Sequence, residues 1–203
     1  MAGDFFDRLN HRFNGIIPLN RIQPRSYKLS LSEIGFCTIA NMMLTPTEIN
    51  YVVGDATNPV APGNRIIAHC CNDAGYWNAG FVRALSERFH QPEDAYRRWA
   101  QTDAPVPFAL GQVLFTKVKG GLCVANIVAQ HGIRSSSNSR PIRYDALQRG
   151  LARVCKLALD HNASVHMPRI GAGLAGGDWA IIAEIINQEL CAYGVNVTVY
   201  DLP

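Results

Sequence analysis

Ser164-Val165-His166-Met167-Pro168-Arg169-Ile170-Gly171-Ala172-Gly173-Leu174-Ala175-Gly176-Gly177-Asp178 passes from a short apolar run, through glycines, to an acidic residue. Ser164 to Pro168 has the length and composition of a buried strand. Asp178 opens an apolar segment, Trp179 to Tyr193, that reads as the last helix. Between them, Gly171 to Gly177 can adopt positive φ and bring backbone close to a ligand, and the helix start beyond them offers unpaired N–H groups.

The same order of elements occurs upstream. Arg65-Ile66-Ile67-Ala68-His69-Cys70-Cys71 is an apolar, β-branched run ending at Asn72-Asp73-Ala74-Gly75. The loop Gly75-Tyr76-Trp77-Asn78-Ala79-Gly80 then leads into Phe81 to Phe89, whose apolar residues recur at helical spacing. Ile49 to Val53 alternates like a strand and stops at Gly54-Asp55, and Asp94 to Gln101 reads as another helix. Gln112 to Lys117 and Leu122 to Ala129 flank Gly120-Gly121 as a hairpin. Tyr144 to His161 is the clearest amphipathic helix, with Leu147, Leu151, Val154, Leu157 and Ala158 on one stripe. Val195 to Tyr200 reads as a final buried strand. Strands alternating with helices predict an α/β fold.

Two glycine loops at the carboxyl ends of strands in one sheet predict a single crevice suited to a diphosphate. The alternative is that both loops only connect elements, since a short glycine motif matches by chance often. Neither loop contains G-x-x-x-x-G-K-[ST]. Gly171 to Gly176 matches G-x-G-x-x-G in letters only, with too little chain after it for a second strand carrying a ribose-binding acid. A dinucleotide-dependent dehydrogenase is disfavoured.

The chain has 203 residues, 48% hydrophobic and 17% charged, enough for one sizeable core and too little charge for a disordered chain. Its formal net charge of +3 falls short of the basic stripe of a dedicated nucleic-acid binder. No stretch approaches the ~20 apolar residues of a membrane span, and the N-terminus has no secretory h-region. A cytoplasmic location is the default expectation. Cys37, Cys70, Cys71, Cys123, Cys155 and Cys191 form no C-x-x-C pair, so reduced core thiols are expected and no metal site is. Residues 1–45 are a weakly specified extension: Phe5, Phe6, Leu9 and Phe13 suit a short amphipathic helix, but Pro18, Pro24 and Pro46 interrupt the chain beyond it. Met42 and Met43 leave two readings open, an upstream start codon or a docked extension; a partner-binding arm is a third.

Gly54-Asp55-Ala56-Thr57 after a strand, Ile67-Ala68-His69-Cys70-Cys71-Asn72 before a glycine loop, Met167-Pro168-Arg169-Ile170-Gly171-Ala172-Gly173-Leu174 before Trp179, and the closing Val197-Thr198-Val199-Tyr200-Asp201-Leu202 together resemble a macrodomain over residues 46–203. Within that family the chain is similar to the branch holding the terminal ADP-ribose protein glycohydrolase and the ADP-ribose-1″-phosphate phosphatases. The resemblance implies a three-layer α/β/α fold with a mixed, mostly parallel sheet that binds ADP-ribose and needs no cofactor. Asp55, with Ala56 beside it, would take the adenine amino group, an assignment that suits a carboxylate acceptor; the alternative is a cap for its own turn. Asn72, Gly75, Tyr76, Trp77, Asn78, Ala79 and Gly80 would surround the distal ribose and diphosphate. Gly171, Ala172, Gly173, Leu174 and Ala175 would hold the other side, with Arg169 and Gln130 at the edges. Tyr76 and Trp77 either cover the ribose or anchor their loop.

Glycohydrolase relatives carry a lysine after the hairpin and an aspartate after the Gly-x-Gly-Leu segment. This chain has Ala129 or Gln130, and Ala175, at those places. The remaining catalytic candidates are Asn72, Asp73, His131 and Asp178. Asp178 is either a helix N-cap or a displaced base, and Asn72 and Asp73 either orient substrate or form a turn. His131 is either an acid–base group or an idle loop residue. His69 and His166 read as core histidines. The polar segment Gly132 to Tyr144, with Arg134, Arg140 and Arg143, reads as a surface loop or as a contact to whatever carries the ADP-ribose. Three functions are compatible with these residues: hydrolysis of an ADP-ribosyl linkage on a protein or nucleic acid, removal of phosphate from ADP-ribose-1″-phosphate, or binding without turnover.

Overall fold

A computed structural model describes residues 45–102 and 104–203. The candidate helix at Phe5 to Phe13, Cys37 and Met42-Met43 lie outside the described residues. The strands are β1 (Ile49–Val53), β2 (Asn64–Asn72), β3 (Val113–Lys119), β4 (Leu122–Gln130), β5 (Ala163–Pro168) and β6 (Val197–Asp201). The helices are α1 (Phe81–Arg88), α2 (Gln91–Gln101), α3 (Tyr144–His161) and α4 (Trp179–Glu189). The six strands form one sheet in the order β1-β6-β5-β2-β4-β3, parallel throughout except for the β3–β4 hairpin.

Alternation along the central strands divides the core in two. Ile66, Ala68, Ala125 and Ile127 face α3 and α4, while Ile67, Cys71, Val124 and Val128 face α1 and α2. Strand side chains buried on both faces read as continuous apolar runs, which is why Arg65 to Cys71 and Leu122 to Ala129 lack polar alternation. Cys70 packs toward the first cluster and Cys71 belongs to the second, so the adjacent thiols do point apart.

Local chemistry sets the helix ends. Pro92 sits in the first turn of α2 with Glu93 and Asp94, and starts that helix three residues earlier than its apolar pattern predicts. Asn162 ends α3 in the left-handed region at φ 47°, its N–H reaching the Ala158 and Leu159 carbonyls. The expected helix Trp179 to Tyr193 stops at Glu189. Leu190 leaves helical geometry at φ −124°, and Cys191–Tyr193 is a separate 3-10 turn closed by Gly194 at φ 74°.

Gly150 shows how closely α3 lies on the sheet: a Cβ there would overlap Ile127 Cγ2 and come within 3.6 Å of Val113 Cγ2. Gly150→Leu is therefore expected to destabilise the fold by about 1–3 kcal/mol through overpacking. Denaturant melts of the two proteins measure it, and an unchanged midpoint would show that α3 can lift off β4 freely.

The connection after β2 runs to α1 and α2 on one face, and the connection after β5 runs to α4 on the other. Neighbouring strands whose chains leave in opposite directions open a crevice at their carboxyl ends. Both glycine loops start there. Among the described residues no helix is long and apolar enough to cross a membrane.

Candidate functional site

The crevice is a cleft of about 820 Å³ at the carboxyl edge of the sheet. Its lining comes from Gly54, Asp55 and Ala56 after β1, the end of β2, the loop and first turns of α1, Gln130, Ile133 and Arg134 after β4, the segment from Pro168 to Ala175, and Tyr200 and Leu202.

At one end stands Asp55. Its carboxylate accepts from the Thr57 amide (2.8 Å), the Thr57 hydroxyl (2.7 Å) and the Arg88 guanidinium (3.1 Å). Burial would raise this carboxyl, but the Thr57 and Arg88 donors outweigh it and hold Asp55 below the ordinary carboxylate range. Asp55 thus caps its turn and also lines the cleft as an anion. Tyr200 walls the same end, its ring 3.5 Å from where a Gly54 Cβ would lie and its hydroxyl 3.1 Å from His166 Nδ1. Arg169 also lines this end, but its guanidinium is paired with Asp201 through two contacts and is stacked between Tyr51 and Trp179.

The middle of the cleft belongs to backbone. Gly80 (φ 76°) and Leu174 meet across it, the Leu174 Cδ1 lying 3.4 Å from where a Gly80 Cβ would sit. The amides of Asn78, Ala79 and Gly80 in one loop, and of Gly173, Leu174 and Ala175 in the other, have no hydrogen-bond partner among the described residues. Gly80 supplies no side-chain cap to α1; the Arg83 amide donates to the Gly80 carbonyl at 3.1 Å, and the Phe81 and Val82 N–H groups are open as well among the described residues. Donors from two loops therefore converge on one strip of cleft, the geometry that holds a diphosphate.

At the other end the sheet register brings the remaining candidates together. A bulge at Cys71/Asn72 sets Asn72 opposite Gln130, both lining the cleft, and the next residues along, Asp73 and His131, meet just beyond them without lining it themselves. His131 Nδ1 lies 2.7 Å from Asp73 Oδ2, and Asp73 Oδ1 accepts from the Gly132 amide at 2.7 Å. Asn138 Nδ2 ties the loop by donating to the carbonyls of His131 and Ile133. Asn72 lines the cleft but spends its side chain on scaffolding: Oδ1 accepts from the amides of Ala74 and Tyr76, and Nδ2 donates to Tyr76 O at 2.6 Å.

Several candidates lie elsewhere. Trp77 is buried, donates from Nε1 to Ser86 Oγ at 2.8 Å and packs against His69 and Tyr96, so it anchors its loop and does not cover a ligand. Tyr76 is the exposed aromatic at the cleft. Gly75 and Ala172 shape the turns without lining the cleft. Asp178 is the N-cap of α4, accepting from the Ala180 amide at 2.8 Å, and is not among the cleft residues. Ala129 is buried away from the cleft, whereas Ala175, also buried, lines it. Cleft residues that the sequence pattern did not single out are Phe81, Val82, Ala84, Tyr200 and Leu202. An apolar helix face and a strand end carry no signal that they border a ligand. Cys70 also lines the cleft, but burial pushes its thiol up to about 12, so it is no nucleophile at neutral pH. Among the described residues no His/Cys/Asp/Glu group could hold a metal ion.

His69 and His166 are core histidines, as their apolar surroundings predict. His69 Nε2 donates to Asn126 Oδ1 at 2.6 Å, and His166 sits between Tyr200 and Ser164. Burial pushes both from the ordinary 6.5 down to about 4. The unfolded chain takes up these protons near pH 6.5 while the folded chain does not until about pH 4. Their contribution is thus full above pH 6.5 and is lost as pH falls through that window. Stability at pH 5 should be lower than at pH 7 by about 2 kcal/mol per histidine. Urea melts at both pH values check this, and His166→Gln should remove one share of the difference; a flat profile would mean the histidines are protonated in the folded state.

No family model matches the chain. A macrodomain protein from Streptomyces coelicolor is 47% identical, with a TM-score of 0.68; the match covers 76% of this chain and 99% of that one. Chromodomain-helicase-DNA-binding protein 1-like from Mus musculus is 34% identical over 169 residues, 79% of this chain, which spans 18% of that relative's length. The structure of Thermosipho africanus DarTG in complex with ADP-ribose shares the fold at 15% identity and a TM-score of 0.56, the match covering 78% of this chain and 44% of that one.

Proposed function

The chain belongs to the macrodomain family, and from that premise we propose that its cleft binds ADP-ribose and that the protein hydrolyses ADP-ribosyl linkages on a modified macromolecule. The observation that carries the reading is the strip of unpartnered amides where the two glycine loops meet, between an anionic acceptor at Asp55 and an Asp73–His131 pair. The strip suits a diphosphate, and Asp55 suits the adenine amino donor. The pair adjoins Asn72 and Gln130, which line the opposite end, where the distal ribose and its acceptor would lie. The DarTG complex supports ADP-ribose as a ligand of this fold.

In the proposed chemistry, water attacks the anomeric carbon as the bond from that carbon to the acceptor oxygen or nitrogen breaks. The Asp73 carboxylate can only accept, so His131 Nδ1 carries the proton and Nε2 is left as the lone pair that takes the proton of the attacking water. Ala129 or Gln130, and Ala175, at the places of the lysine and aspartate in glycohydrolase relatives, speak for a second reading, a binder without turnover.

Titration calorimetry with ADP-ribose, followed by release assays on glutamate-linked and nucleobase-linked ADP-ribosyl substrates and on ADP-ribose-1″-phosphate, separates these. Binding with release of ADP-ribose supports the hydrolase, phosphate release supports the phosphatase, and binding alone supports the reader. Absence of binding would refute the site.

A further inference from the structure

Helix α1 lines the cleft with its first turn and is tied to the cleft residue Asp55 by its last. It begins after Gly80, beside the amide strip, and ends at Arg88, which reaches the Asp55 end. At about 1.5 Å per residue this makes a strut of about 12 Å between the two subsites. Arg88 acts there through a chain of donors. Its Nε donates to Thr57 Oγ1 at 3.0 Å, which turns the Thr57 hydroxyl proton toward Asp55, and its Nη2 donates to Asp55 Oδ2 at 3.1 Å. Thr57 is itself buried, so the hydroxyl is not free to turn to water. A carboxylate has about four acceptor positions; the Thr57 amide, the Thr57 hydroxyl and Arg88 fill three of them and fix its plane.

We infer that Arg88 is a positioning and specificity-determining residue: it orients the Asp55 carboxylate so that one acceptor position faces the cleft, which selects a nucleobase bearing an exocyclic amino donor over one bearing a carbonyl there. The inference rests on the ADP-ribose reading above and adds to it the residue that sets base choice. Arg88 has a second effect, neutralising a carboxylate that would otherwise repel the ligand's diphosphate. As a half-exposed ion pair it does little for the fold, so its removal leaves the protein folded.

The two effects separate by experiment. Affinities of the full chain are measured for ADP-ribose and for its hypoxanthine analogue, which has a carbonyl where adenine has the amino group. The wild type is expected to prefer ADP-ribose by at least about tenfold, the range in which a carboxylate left facing a carbonyl in the complex rejects the wrong base. In Arg88→Met that preference falls to within about threefold and both affinities drop. In Arg88→Lys, which keeps the charge and loses the fork, the affinities recover but the preference does not. A wild type that binds neither ligand refutes the ADP-ribose reading and this inference with it. A wild type that binds both alike, an Arg88→Met that keeps its preference, or an Arg88→Lys that restores it each overturns the inference while leaving the ADP-ribose reading in place.

Discussion

Gly80→Glu is expected to lose ADP-ribose binding by more than about 100-fold, roughly 3 kcal/mol, without unfolding the protein. Gly80 sits at φ 76°, where a side chain is strained, and its Cβ would stand 3.4 Å from Leu174 Cδ1. A glutamate leaving that point runs along the strip between the two loops. It fills the place of the diphosphate and sets a negative charge against it. Gly63 supplies the control. It has nearly the same φ, 75°, but lies just before β2, away from the carboxyl edge, with open space around its Cβ position. Gly63→Glu adds the same charge at another glycine of positive φ, and should bind ADP-ribose as the wild type does. Calorimetry on both variants, with thermal melts to show that each is folded, decides the matter. Binding by Gly80→Glu at wild-type strength would mean that the glycine loops do not hold the ligand.

The legible parts of this molecule are those that a local pattern specifies. Helix α3 is readable from Tyr144 to His161 because a wide apolar stripe runs its whole length and Asn162 ends it. The paired glycine loops are readable because the order strand, glycines, helix occurs twice, and that repetition places the cleft without knowledge of any contact. Less legible are features that depend on partners distant in the chain. Trp77 carries the same aromatic signal whether it covers a ligand or fills a core; only its packing on His69 and Tyr96, from β2 and α2, assigns it to the core. Arg169 lies in the middle of the glycine motif, yet Asp201, 32 positions later, holds its guanidinium. Arg88 ends an amphipathic helix as an ordinary surface arginine would, and its contact to Asp55 spans 33 positions. The N-cap role of Asp178 rests on one hydrogen bond, from the Ala180 amide. The meeting of Asp73 with His131 depends on a bulge that shifts the β2–β4 register by one residue, and such a bulge has no sequence mark here.

That meeting makes the second large prediction. His131→Ala should lower the rate of ADP-ribose release by about 10²–10⁴-fold, the usual contribution of one acid–base group, while ADP-ribose affinity stays within a few-fold of wild type. The split comes from position: His131 flanks Gln130 and the loop to Ile133, beyond the strip of amides that would hold the diphosphate. Asp73→Asn should give a loss of the same order, because the amide can present its N–H to the ring, favour the wrong tautomer and no longer support the charged imidazole. Asp178→Ala is the matched control. It removes the α4 cap, which costs about 1 kcal/mol of stability, and it should leave the rate unchanged. Single-turnover release and calorimetry on the three variants give rate and affinity separately. Full activity in His131→Ala would remove the pair from the reaction and leave Asn72 and the loop backbone as the groups that remain at that end of the cleft. Equal losses in His131→Ala and Asp178→Ala would instead show that the rate tracks stability, because the two residues share no hydrogen bond and only His131 is next in the chain to a residue that lines the cleft, Gln130.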